Sequence, residues 1–125
     1  MTALVDTSVL IDFLRDRSGA VELLTRERRL GQLHASEMSR LEVLAGMRPG
    51  EEPGTRLLLS TLVWHPVDAE VAEQAGALGR RWLPSHRTIG AADLAVAATV
   101  ILTGTRLLTR NIKHFPMFGL TAPYE

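Results

Sequence analysis

The 125-residue sequence predicts an α/β fold with a short central parallel sheet flanked by helices. Two observations carry this. Short apolar runs, the first at Ala3-Leu4-Val5 and the last clear one at Arg106-Leu107-Leu108-Thr109, alternate with longer segments whose apolar residues recur at a 3.6-residue period. Helix-capping and helix-ending residues stand at the joins, with Ser36 and Asp68 before helical segments and Gly104 after one. Alternation of this kind favours a parallel sheet covered by helices. There is no internal repeat and no low-complexity stretch, so residues 1–125 read as a single domain.

Taken in order, Ala3-Leu4-Val5 is a buried strand ended by Asp6-Thr7-Ser8. Thr7 or Ser8 is placed to cap a helix with Val9, Leu10, Phe13 and Leu14 on its apolar face, broken by Ser18-Gly19. A second helix runs from Ala20 to Arg29. Leu33-His34-Ala35 is a short strand, and Ser36 caps a helix from Glu37 to about Met47. Residues Arg48 to Gly54 have the composition of a loop, and Thr55 to Leu62 of a helix. A minimal strand falls within Trp64-His65-Pro66-Val67. Asp68 then caps a helix reaching about Leu83. Ile89 to Thr103 is helical and almost wholly apolar, as buried helices are. After the strand at Arg106–Thr109, Asn111 to Phe115 is a turn or short helix, and Gly119 to Ala122 is the place for a final strand.

Composition narrows the chemistry. Apolar residues make up 46%, an ordinary fraction for a globular domain, and cysteine is absent. That excludes disulfides, thiolate metal sites and thiol catalysis, and it agrees with a reducing compartment. The longest uncharged apolar stretch, Leu94 to Thr105, is too short to span a bilayer. The N-terminus lacks the pattern of a signal peptide, and the expected location is the cytoplasm. Net charge is zero but unevenly spread. Residues 1–79 hold 8 Arg and 12 acids, whereas residues 80–124 hold 5 Arg, 1 Lys and a single acid, Asp93. A basic half can face a polyanion, although solvated arginines give the same count.

The informative residues are polar where the pattern wants apolar ones, because buried charge is costly unless paired or metal-bound. Asp93 is the sole charge between Arg87 and Arg106; it either complements a helix N-terminus or points into a site. Asp6 ends the first strand, where open α/β sheets bind ligands, although it could equally cap the next helix. Glu42 has mostly apolar neighbours; its plain alternative is a surface carboxylate paired with Arg40 or Arg48. Asn111 would sit just past a strand end, as a site residue or an ordinary turn residue. Asp12, Asp16 and Glu22 read as solvated helix charges. His114 attracts interest only by its proximity to Asn111. Trp64 and Trp82 read as core or interface residues. Histidine-pair zinc spacing, phosphate-binding glycine motifs and a nucleophile elbow are all missing from the sequence. Jointly, oxygen ligands of the kind carried by Asp6, Glu42, Asp93 and Asn111 suit Mg²⁺ or Mn²⁺. The basic residues Arg80, Arg81, Arg87, Arg106, Arg110 and Lys113 make a phosphodiester a fitting substrate, with Arg87, Arg110 and Lys113 the candidates for RNA contact.

Four segments in order resemble the PIN domain, and more narrowly its VapC toxin branch: Leu4-Val5-Asp6-Thr7-Ser8-Val9-Leu10-Ile11-Asp12, Ser39-Arg40-Leu41-Glu42-Val43-Leu44-Ala45-Gly46, Ala92-Asp93-Leu94-Ala95-Val96-Ala97-Ala98-Thr99, and Leu108-Thr109-Arg110-Asn111 with Phe115. The resemblance implies a PIN-like α/β/α sandwich and a Mg²⁺-dependent endoribonuclease. Its acidic cluster falls on Asp6, Glu42 and Asp93, and its fourth position on Asn111, where many members have Asp. Thr7, Ser8 and Thr109 become supporting polar residues. The lost charge at Asn111 favours one ion, held mainly by Asp6 and Asp93. The resemblance also implies a homodimer, and inhibition by a VapB antitoxin that covers the site. Two rivals are weighed against it. A non-catalytic interaction domain would not need the acids. A receiver-like phospho-acceptor domain would want adjacent acids after the first strand and a lysine on a late strand; Asp6 has no acidic neighbour, and the sole lysine, Lys113, follows the last clear strand.

Overall fold

The computed structural model describes residues 2–125. Four short strands, β1 (Ala3–Val5), β2 (Leu33–Ser36), β3 (Val63–His65) and β4 (Arg106–Leu108), form one sheet in the order β3-β2-β1-β4. Every pairing is parallel, with Leu4 opposite His34 on one side and Leu107 on the other. Six helices surround it: α1 (Thr7–Leu14), α2 (Ser18–Leu30), α3 (Glu37–Ala45), α4 (Glu52–Ser60), α5 (Ala69–Trp82) and α6 (Ala91–Thr103).

The period-two alternation of a strand divides the core. Ala3 and Val5 point to one face and pack with Val9, Leu10, Leu23, Leu24 and Leu58, from α1, α2 and α4. Leu4 points to the other and packs with Val96, Ala97 and Val100 of α6 and with Phe115. A third cluster joins Val71 of α5 to Ala95 and Ala98. Each fully buried Leu or Phe adds roughly 1.5–3 kcal/mol to this arrangement. The result is the expected α/β/α sandwich.

The caps at Ser36 and Asp68 form as the sequence implies: Ser36 Oγ accepts from the Met38 N–H at 3.1 Å, and Asp68 Oδ1 from the Val71 N–H at 3.0 Å. Gly104 ends α6 with φ 65°, a left-handed conformation that favours glycine. Four expectations are corrected. Asp6, not Thr7 or Ser8, stands at the N-cap of α1, and the two hydroxyls turn to the site instead. α4 begins at Glu52, inside the stretch read as a loop, because proline in a first helical turn forfeits no hydrogen bond. Gly19 does not break a helix but lies within α2. Gly119 to Ala122 form no strand: Pro116–Phe118 is a 3₁₀ turn closed by Gly119, and Phe118 and Leu120 pack on the Leu4 core instead.

Candidate active site

Chain order places the site. Strands β1, β2 and β3 step outward in one direction while β4 lies on the other side of β1, so the connections diverge between β1 and β4. Open α/β sheets bind ligands at the carboxyl ends of strands at such a point. Asp6 immediately follows β1, and Thr109, Arg110 and Asn111 follow β4. The two strand ends are laced together: the Asp6 N–H donates to Leu108 O at 2.9 Å, and Arg110 N–H to Ser8 Oγ at 3.1 Å.

Asp6 is 4% exposed. Its Oδ2 accepts from Thr109 Oγ1 at 2.7 Å and from Ser8 Oγ at 3.0 Å. Burial pushes its pKa up, and the negative charge of Asp93 adds to the push; the hydroxyls of Thr109 and Ser8 and the Thr7 N–H pull it down. Thr109 is fixed in turn by the Asn111 N–H, which donates to its oxygen at 3.0 Å. Glu42 projects from α3, where Thr7 Oγ1 donates to its Oε1 at 2.6 Å and Ser39 Oγ lies 2.9 Å from the same hydroxyl. Arg40 pairs with Glu37, so the surface ion pair considered for Glu42 and Arg40 is not the one formed. Asp93 lies in the first turn of α6 and does two things. Its Oδ2 accepts from the Gly90 N–H at 3.0 Å, as a helix-end carboxylate does, and faces His114 Nδ1 at 3.2 Å.

Asp6, Thr7, Ser8, Glu42, Asp93, Arg110 and Asn111 line one cleft of about 380 Å³, with Thr109 buried beside Asp6. Arg87 and Lys113 are exposed and are not among its lining residues. Trp64 packs on the main core, donating to Leu59 O at 3.0 Å with the Arg40 guanidinium 4.1 Å over its ring; Trp82 is half-buried against His86.

Four residues of this cleft, Ile11, Asp12, Arg15 and Arg17, are not among those the sequence singles out as site residues. Asp12, which the sequence presents as a solvated helix charge, is 4% exposed and lines the cleft beside Arg15 and Arg17. Its Oδ2 accepts from Tyr124 Oη at 2.6 Å and faces Arg110 Nε at 3.2 Å, while Oδ1 faces Arg17 at 3.7 Å. Its place in α1, three residues after the buried Val9, is the available signal; besides Arg17, its partners come from 98 and 112 residues away and leave no local trace.

The donor set suits a hard divalent cation. All candidate ligands are oxygens, and a buried carboxylate whose ionisation is opposed by a neighbouring one is relieved by an ion between them. Among the described residues, no three His, Asp or Glu side chains form a ready cage. A pair of acids completed by waters is the manner in which Mg²⁺ is held.

The fold and this acidic strand-end site have counterparts. The PIN domain family matches residues 3–116, and the chain belongs to that family, in its VapC branch. Ribonuclease VapC19 of Mycobacterium tuberculosis is 41% identical over 123 residues, 97% of this chain and 98% of the relative. A toxin–antitoxin complex from Klebsiella pneumoniae contains a chain that superposes with a TM-score of 0.82 at 30% identity, covering 99% of both chains. VapBC2 from Rickettsia felis, bound to a promoter DNA fragment, shares the fold at TM-score 0.79 and 21% identity over 98% of this chain and 97% of that one.

Proposed function

We propose that this chain, acting as one domain over residues 1–125, is the toxin of a toxin–antitoxin pair and a metal-dependent endoribonuclease. The observation that carries the reading is the convergence of Asp6, Glu42 and Asp93, from three separate elements, on one cleft at the strand ends. Mg²⁺, or Mn²⁺ in its place, would be held by Asp6 and Asp93; when bound it supplies an acidified water and offsets charge on the phosphoryl group. Ser8 and Thr109 fix the Asp6 carboxylate by donating to it, so its ligand geometry is set before RNA arrives. Thr7 holds Glu42 in place, and Glu42 orients the attacking water and takes its proton. Asn111 adds a neutral polar contact at the cleft edge, and Arg110 stabilises the developing phosphate charge. Attack by water, in line on phosphorus, yields 5′-phosphate and 3′-hydroxyl ends. Arg87 and Lys113, outside the cleft, belong to the outer RNA track on this reading.

An antitoxin is the partner that the Klebsiella complex supports by likeness, and the VapC branch makes it a VapB-type one. An apolar groove lined by Phe13, Leu14, Leu24, Leu57 and Leu58 takes in the end of α1, the helix whose Ile11 lines the cleft. An apolar antitoxin segment in that groove would deliver a basic side chain to the acids. A second apolar hollow between α5 and α6, lined by Met38, Val67, Ala75, Leu83 and Leu94, is the face for a homodimer. Light scattering should then give about twice the 13.7 kDa chain mass, and a monomer would remove that part. Among the described residues no helix is long and apolar enough to cross a membrane, and the cytoplasm, where RNA and antitoxin meet, is the proposed location. The deciding experiment is cleavage of single-stranded RNA with and without Mg²⁺. Asp6→Asn or Asp93→Asn should lower the rate by ~100-fold or more with the fold retained; wild-type rates in either variant contradict the assignment.

A further inference from the structure

Asp12 has no role in the reaction as derived, yet it is a buried carboxylate on the wall of the active cleft. Its partners are unusually well defined. Tyr124, from the last turn of chain, donates to Oδ2 at 2.6 Å, and Arg110 Nε meets the same oxygen at 3.2 Å. Arg17 faces Oδ1 at 3.7 Å. The Tyr124 side chain packs against α2 at Gly19, so close that a Cβ there would fall 2.6–2.8 Å from its Cβ, Cγ and Cδ2. Burial and the neighbouring Asp12 push the Tyr124 phenol pKa up, so at neutral pH it stays a donor. Tyr124 therefore anchors Asp12, and Asp12 in turn grips a guanidinium that lines the same cleft as Asp6, Glu42 and Asp93.

Such an arginine has two available partners. A guanidinium pairs with a carboxylate at two points, and three carboxylates line the same cleft. Left free, Arg110 would fold onto them and occupy the position of the cation. We propose that Asp12, anchored by Tyr124, is a positioning residue that holds Arg110 against α1, off the acid cluster and toward the RNA phosphate. Asp12 thus protects the metal position from the chain's own arginine while keeping that arginine in reach of substrate. The inference rests on the nuclease reading above, and it predicts metal affinity, which is measured without RNA.

The experiment measures Mn²⁺ binding to the full chain by the loss of the free-ion paramagnetic resonance signal, alongside steady-state cleavage. Asp12→Asn should weaken Mn²⁺ binding ~tenfold and raise KM by a similar factor, the scale of one lost charge-assisted contact. Tyr124→Phe, which removes one oxygen and leaves the packing, should shift both in the same direction by a smaller factor; it carries the test if Asp12→Asn does not fold. In Asp12→Asn combined with Arg110→Gln, Mn²⁺ affinity should return to about the wild-type value, because the competing cation is gone. KM should stay raised. Unchanged Mn²⁺ affinity and KM in Asp12→Asn overturn the inference, as does a double variant that still binds Mn²⁺ weakly, since Asp12 would then act on the ion itself. A wild-type chain that binds no Mn²⁺ and cleaves no RNA overturns both this inference and the nuclease reading; one that does both while its variants match it overturns this inference alone.

Discussion

Asp6 carries an electrostatic cost with a clear cause. It is buried beside another acid, and only hydroxyls and an N–H offset its charge. Its folded-state pKa lies above the ordinary 3.8, so the native state holds the proton more tightly than the unfolded chain does. Through this group, the metal-free protein loses stability as pH rises from about the ordinary carboxylate range through the raised value. Asp6→Asn should accordingly melt at a higher temperature than wild type at pH 7 without metal, with the gap closing as pH falls toward 4. An equal melting temperature at pH 7 would mean that the hydroxyl donors already offset burial. At this scale the sequence was partly legible. Asp6 and Asp93 broke apolar patterns, and a strand end and an apolar helix are places where an acid stands out. Asp12 did not stand out, because an acid inside an amphipathic helix is ordinarily solvated and nothing nearby in the chain announces Tyr124 or Arg110.

At the scale of elements, the strongly periodic and capped segments were the readable ones. α3, α5 and α6 have their cap residues in the sequence, and the sheet strands are apolar runs. The errors came where one residue type serves two purposes. Pro53 opens α4, where a proline usually signals a break, and Gly19 sits within α2, where a glycine usually signals an end. Gly19 has a tertiary reason for being glycine: the Tyr124 ring occupies the space of a side chain. The close atoms are the Cβ and the root of the ring rather than its far end, so they cannot easily move aside. Gly19→Ala should cost about 1–3 kcal/mol of stability by overpacking, despite alanine's better helix propensity. Denaturant unfolding measures this, and a stabilised variant would show that Tyr124 is not held against α2. The final strand expected at Gly119–Ala122 failed for a related reason: its apolar residues had a core to join, and burial there outweighs an edge pairing.

The whole molecule is organised to bring acids from distant parts of the chain to one end of a four-stranded sheet. β1 and β4 are separated by about a hundred residues in sequence but paired in space, and their ends hold Asp6 and Asn111. Its net charge is zero, so attraction to RNA is local, through residues such as Arg110. The acid cluster also explains how a partner would silence it. A cationic side chain delivered by the antitoxin would compete with the metal, so antitoxin affinity should fall as Mg²⁺ rises at constant ionic strength. Titration calorimetry with and without the ion reads this directly, and an affinity indifferent to Mg²⁺ places the block outside the carboxylates. The claim on which everything else depends is that the cleft hydrolyses RNA by metal-assisted attack of water. Its most direct test is incubation of a defined single-stranded RNA with the purified chain and Mg²⁺, followed by analysis of the new ends. The expected products carry 5′-phosphate and 3′-hydroxyl ends that vanish with a chelator, return with added Mg²⁺ and are absent in Asp93→Asn. Cleavage that persists in the chelator and leaves 2′,3′-cyclic phosphate ends would contradict it.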